Sequence, residues 1–181
     1  IPIFIRNTFN PNSLGTEISA VTNKKQTVKG ITTIEDVALV NLEGTGMIGV
    51  PGTANRLYSC LQAAGVSIIL ITQASSEHSI CFAVKNESVD LVEQVIKKEF
   101  AQEFSSEDLQ ALQVQNKCNI IAVVGSGMSG TKGIASGFFK AISDAGVNVK
   151  AIAQGSSEQN ISAVVNQNDA KKAVKSIHAA F

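Results

Sequence analysis

Tryptophan is absent from these 181 residues, tyrosine occurs once, and aromatic side chains make up only 5% of the chain. That scarcity excludes an RNA-binding sheet surface built on stacked aromatics. Tyr58 is the sole tyrosine, Phe82 is the only strand aromatic within the repeat described below, and no K/R-G-F-G-F-V-x-F run is present. Charge of one sign is also missing. Fifteen basic residues balance fifteen acidic ones, so nothing draws in nucleic-acid phosphates or an anionic membrane over long range. Apolar runs such as Val66 to Ile71 are far too short to span a bilayer. The start shows no signal-peptide pattern and reads instead as the strand-like Ile1-Pro2-Ile3-Phe4-Ile5. Cys60, Cys81 and Cys118 are odd in number and have neither disulfide nor metal-ligand spacing, which points to buried free thiols in a reducing compartment. His178, without companions, reads as a surface histidine, and no metal site is expected.

What is present is a duplication. Residues 42–84 and 123–165 align without a gap at an offset of 81, the spacing of Gln73 and Gln154, and 16 of the 43 aligned positions are identical. The identities concentrate in two loops, G-x-G-M-x-G-x-x-G and Q-x-S-S-E. Core positions need only keep size and polarity, so identity retained in loops points to loops that do something twice.

Each copy opens with a buried strand, Val37 to Leu42 or Cys118 to Val124, and enters the glycine loop. Ala54, Leu57, Tyr58, Leu61 and Ala64 then mark an amphipathic helix, matched by Ala135, Phe138, Phe139, Ile142 and Ala145, and Gly65 or Gly146 stops it. Strands Ser67–Gln73 and Asn148–Gln154, the S-S-E turn, and strands Ile80–Val84 and Ile161–Val165 form hairpins, since so short a turn joins only antiparallel strands. A second helix follows, with Ser88 as N-cap ahead of Val89, Val92, Ile96 and Phe100, and with Ala170, Ala173, Ile177 and Phe181 as the matching face. Ala111 to Gln115 supplies one more strand. The fold class is therefore α+β: two ferredoxin-like βαββαβ units, each an antiparallel sheet with helices on one face. The second copy ends at its second helix and lacks a fourth strand. Thr27 to Ile34, which resembles nothing inside the repeat, is the expected donor, so that the first unit nests within the second and no sheet edge is left bare. Residues 1–26 lie outside both units, with turn chemistry over Asn7 to Gly15 between a lone strand and a short apolar stretch at Ile18.

Both glycine loops satisfy G-x-G-x-x-G between strand and helix, the dinucleotide fingerprint. That fingerprint also needs a ribose-binding acid roughly 20 residues on, and here the second strand reads SIILITQ or NVKAIAQ and continues into a hairpin. What the loop does supply is a helix N-terminus with N–H groups and a close approach, suited to a small carboxylate such as that of an amino acid. A tight turn is the better explanation of one such loop, whereas two loops each paired with Q-x-S-S-E favour a ligand. Gln73 and Gln154, at strand ends, can donate to and accept from a small polar ligand or pin their own hairpins. Ser75, Ser76, Glu77 and His78 make no catalytic triad, because neighbours around one turn cannot align, and the second copy has Gln159 in place of His78.

On these residues the chain resembles the tandem ACT domains of the aspartokinases, most closely those of the threonine-sensitive bifunctional aspartokinase–homoserine dehydrogenases. The matching segments are VKGITTIEDVALVNLEGTGM, GVPGTANRLYS, LITQASSEHSICFAV and VKAIAQGSSEQNISAVV, and IPIFIRNTFNP with GTEIS looks like the end of that family's kinase domain. The resemblance implies that residues 1–26 are a kinase-domain remnant, that 37–117 form the first ACT unit, and that 27–36 with 118–181 form the second. It also implies no catalytic residue and no cofactor in this chain, a kinase upstream, a dehydrogenase downstream, ACT units paired between copies as a homodimer, and residence in the cytoplasm or a plastid stroma. An amino-acid effector, L-threonine, is implied at Met47, Gly49, Val50, Ala54, Gln73, Ser76 and Glu77, with a second site at Met128, Gly130, Gln154, Ser157 and Glu158. Lysine-inhibited relatives have TSE in place of QASSE and an aspartate in the column of Ile69, which argues against lysine. In the second copy Lys150 takes that column and Gly155 replaces Ala74, so its ligand need not be the same. An ACT scaffold that binds no effector remains the alternative, along with a lysine-responsive regulatory domain.

Overall fold

The computed structural model describes residues 1–18, 27–73 and 78–181. In chain order the elements are β1 (Ile3–Ile5), β2 (Thr16–Ile18), β3 (Gly30–Glu43), α1 (Thr53–Ala63), β4 (Leu70–Gln73), β5 (Ser79–Lys85), α2 (Val89–Glu99), α3 (Ala101–Ser105), β6 (Ala111–Val124), α4 (Ile134–Asp144), β7 (Val149–Gln154), β8 (Asn160–Asn166) and α5 (Gln167–Ala180). β1 is not the lone strand expected: it pairs antiparallel with β2, through Ile3↔Ile18 to Ile5↔Thr16. All other strands form one antiparallel sheet in the order β4-β5-β3-β6-β8-β7.

β3 and β6 are 14 residues each, long enough to serve both repeats. The first half of β3, Gly30–Ile34, pairs with Val124–Ile120 and completes the second unit. Its second half, Val37–Glu43, pairs with β5 on one side and, over Leu39–Glu43, with Gln115–Ala111 on the other, completing the first. Each unit thus has the 4-1-3-2 strand order of a ferredoxin-like fold, and the first is nested in the second. The donated strand does have a counterpart, contrary to the sequence reading. Lys29 N–H bonds to Val124 O at 2.8 Å, and 81 residues later Gln110 N–H bonds to Glu43 O at 2.9 Å. The repeat therefore carries its donated strand at its front in both copies and exchanges it reciprocally. Asp36 and Lys117, also 81 apart, both take positive φ (56°) where the long strands pass from one unit to the other. Asp36 N–H is held there by Oδ1 of the buried Asn119 at 3.3 Å.

Alternation along the strands buries both faces, which is why β3 and β6 read as nearly continuous apolar runs. Ala38, Val40, Leu42, Phe82 and Val84 meet Leu57 and Leu61 of α1 and Val92 and Ile96 of α2. Ile121, Val123, Ala163 and Val165 meet Phe138 and Ile142 of α4 and Ala173 and Ile177 of α5. Each such fully buried large side chain contributes roughly 1.5–3 kcal/mol. Val37, Leu39, Leu70 and Ala83 pack with Cys118, Ile120 and Val164 on the helix-free face, so a third core joins the two units.

Two local expectations change. β4 starts at Leu70 rather than Ser67, because α1 ends in a glycine turn (Gly65 N–H to Gln62 O, Val66 N–H to Leu61 O) and the next residues cross to the sheet edge. Ser88 does not cap α2: it lies within a preceding turn at Asn86–Ser88 and makes no capping bond. In the second copy the helix begins at the equivalent turn, and Asn166 Oδ1 accepts from Asn168 N–H at 3.0 Å.

Candidate effector site

The first glycine of each loop answers to packing. A Cβ on Gly44 would lie 2.2 Å from Asp108 O, and one on Gly125 would lie 2.3 Å from Thr27 O. Both clashes are with the backbone leading into the donated fourth strand. Gly44 N–H bonds to His78 O and Gly125 N–H to Gln159 O, so residue 78 serves through its carbonyl and needs no imidazole. The last glycine of the run, Gly52 or Gly133, has φ near +90° and stands at the N-cap of α1 or α4 with no side-chain cap.

Around that uncapped N-terminus of α1 lies a cavity of about 320 Å³. Met47, Gly49, Val50, Ala54 and Gln73 line it together with Ile80, which sequence reasoning did not single out. Ser76 and Glu77 fall outside the described residues. None of the described lining residues is charged, so a ligand there meets helix-end N–H groups, the Gln73 amide and apolar walls. Met47 is only 5% exposed and also belongs to the core, tying the loop to the sheet. One turn along α1, Arg56 is engaged elsewhere. Its Nε is 3.0 Å from Glu99 Oε1, it bonds to Glu103, and it stacks 4.6 Å above the Phe100 ring. The hydrogen bond to Glu103, then that to Glu99, raises the Arg56 pKa, and Arg56 in turn holds the Glu103 carboxyl below its ordinary value.

In the second copy all the candidate residues are described. Gly130 N–H donates to Glu158 Oε2 at 2.7 Å, closing the loop onto its own hairpin, and Glu158 takes φ +55° to do so. Met128 is 2% exposed, within the second core. Ser157 is exposed on the turn, and Gln154 lines a groove on the helix-free face beside Ile69 and Ile71. Among the described residues no group of three or more His, Cys, Asp or Glu side chains could hold a metal, and no helix is long and apolar enough to cross a membrane. His178 is exposed on α5, and Cys60 and Cys81 are partly rather than fully buried, with only Cys118 fully so.

A duplicated 4-1-3-2 sheet, with a glycine loop, an uncapped helix and a hairpin glutamine around a small cavity in its first copy, defines a tandem module of ferredoxin-like units. The ACT domain profile matches residues 40–100 and 121–181, again 81 apart, and the chain belongs to the ACT domain family. It is 46% identical over 182 residues to the bifunctional aspartokinase/homoserine dehydrogenase of Haemophilus influenzae, covering 100% of this chain and 22% of that protein. It is 42% identical to the chloroplastic bifunctional aspartokinase/homoserine dehydrogenase 1 of Arabidopsis thaliana, covering 100% of this chain and 20% of that protein. The chain thus spans about a fifth of the length of these relatives. Among solved structures, aspartate kinase of Clostridium acetobutylicum superposes with a TM-score of 0.88 at 30% identity, over 100% of this chain and 41% of that one.

Proposed function

We propose that this chain is the regulatory part of an aspartokinase, fused in its parent to a homoserine dehydrogenase, and that it binds L-threonine as a feedback effector at the first-unit loop. The observation that carries the proposal is the cavity of about 320 Å³ where the α1 N-terminus and Gln73 meet. The helix end suits the ligand carboxylate, the Gln73 amide suits its hydroxyl or ammonium, and Val50 and Ile80 suit its methyl. The second loop carries less weight in this reading, because Lys150 stands in the column of Ile69 and Gly155 replaces Ala74. The chain performs no chemistry itself and calls for no cofactor. It acts with a kinase domain of the parent and a second copy of itself, in the cytoplasm of a bacterium or the stroma of a plastid. Inhibition then follows from threonine favouring one arrangement of the paired units, with a coupling of about 1–3 kcal/mol that substrate must reciprocate.

Thermal unfolding with L-threonine tests this, with L-lysine, L-methionine and NAD alongside. At a hundred times its dissociation constant a ligand adds about 2.7 kcal/mol, a rise of roughly 5–10 °C for a chain of this size. Gln73→Ala is expected to abolish the rise while leaving the unliganded Tm in place, and Gln154→Ala to change it less. A rise with lysine instead assigns a lysine-responsive domain, and no rise with any amino acid assigns a scaffold.

A further inference from the structure

On the helix-free face β4 and β7 approach each other, and a groove opens on either side of them. The two grooves are related by the same offset of 81, so each is a control for the other. One, of about 450 Å³, is lined by Asn41, Gln115 and Lys150 among others. The other, of about 570 Å³, carries at the equivalent positions Ala122, Ile34 and Ile69. Two amides and a cation thus stand where the twin groove has alanine and isoleucines, on a backbone that demands neither.

The polar side chains are incompletely satisfied. Lys150 Nζ donates to the neutral Gln115 Oε1 at 2.9 Å and has no carboxylate partner among the described residues. Asn41 Nδ2 is taken up by Glu43, but Asn41 Oδ1 is buried and accepts nothing. Glu43, whose carboxylate also accepts from Gln113 Nε2 at 3.2 Å, places negative charge at this end, close enough to help push the Cys81 thiol in the groove up to about 11 after burial itself. Gln115 stands opposite Leu39 and Gln113 opposite Asn41, so Gln115, which holds the Lys150 ammonium, and Asn41 are diagonal neighbours with backbone positions roughly 7–8 Å apart. A cation at one end, with an unfilled acceptor and a carboxylate at the other, match the two ends of a small zwitterion.

We propose that this groove between the two ACT units is a second ligand site, for an α-amino acid whose carboxylate meets Lys150 and whose ammonium meets Asn41 Oδ1 as that amide turns outward. It is separate from the loop cavity, although Gln73 borders both. The twin groove, apolar at these three positions, takes no zwitterion.

The test is an NMR titration of the labelled chain with L-threonine, L-aspartate and L-methionine, each to millimolar concentration, and with L-threoninamide, which lacks the carboxylate. Saturable shifts at the side-chain amides of Asn41 and Gln115 and at Lys150 are expected for at least one of the three acids, and not for the amide. Lys150→Ile and Asn41→Ala, which install the residues of the twin groove, are each expected to weaken those shifts at least about tenfold while leaving signals at Gly49 and Ala54 as they were. Two variants guard against one failing to fold, and the Tm of each is checked first. Absence of saturable groove shifts with all three acids, or undiminished affinity in both variants, overturns the proposal, whatever the loop signals show.

Discussion

The two ACT units share one backbone plan but have spent their side chains differently. Where the first has Arg56 stacked on a buried Phe100 and tied to Glu99 and Glu103, the second has Gly137 at the same helical position beside Phe181, which is 46% exposed. On one side of β4 and β7 the groove carries Asn41, Gln115 and Lys150, whereas its counterpart carries Ala122, Ile34 and Ile69. Among the positions that did not diverge, Gly44 and Gly125 are fixed by the backbone of the incoming strand, and Gly52 and Gly133, with open space around them, by their positive φ at the helix entry. A backbone contact tolerates no added atom and a positive φ disfavours any side chain, so duplication preserves both. Side chains that only face solvent or a groove are free to specialise.

The largest expected effect tests the shared part. Gly44→Ala and Gly125→Ala each force a Cβ into a carbonyl oxygen that cannot yield without displacing the donated strand. Each is expected to cost about 2–3 kcal/mol in chemical denaturation, by overpacking. A loss confined to one unit would break the equivalence of the two loops.

A smaller effect tests the divergent part, and its sign should differ between units. Arg56→Ala removes two partly exposed ion pairs and a cation–π contact, with an expected loss of about 1 kcal/mol that shrinks in high salt. Gly137→Ala, whose Cβ would come 3.3 Å from the half-exposed Phe181 ring, is expected to gain up to about 0.5–1 kcal/mol from helix propensity as that ring moves aside. Two losses would mean that Phe181 is held as firmly as Phe100.

Smallest at neutral pH, and opening only in alkali, is a pH dependence. The Cys81 thiol is raised to about 11, chiefly by burial and then by Glu43. The unfolded thiol, near 8.5, loses its proton first, so stability held at neutral pH falls as pH rises from about 8.5 through 11. Cys81→Ser, the residue that Ser162 supplies in the second unit, is expected to flatten that part of the curve. An unchanged slope would move its cause to other groups.

Much of this was legible in the chain because its signals are local. The spacing from Ala54 to Ala64, the stops at Gly65 and Gly146, and the gapless offset fixed both helices and both hairpins. Five candidate residues, Met47, Gly49, Val50, Ala54 and Gln73, do border one cavity, since a loop and the end of a neighbouring strand must meet at one edge of a small sheet. Ile80 escaped notice because it reads as core, and Ser88 misled because an extra turn precedes the helix. The polar groove was hidden for a different reason. Lys150 stood out only as a departure from Ile69, and nothing local told which strand it would face.

By itself the sequence determined the repeated unit, its helix faces, its turns and the glycines the loops require, because periodicity and φ preference act over a few residues. Only the tertiary structure decided that β3 and β6 each run through both units, that the donated strands are exchanged reciprocally, and that Lys150 meets Gln115 across 35 residues of chain. Those outcomes depend on which sheet edges must be covered and which apolar faces must be buried together, and no window of sequence contains both sides of such a contact.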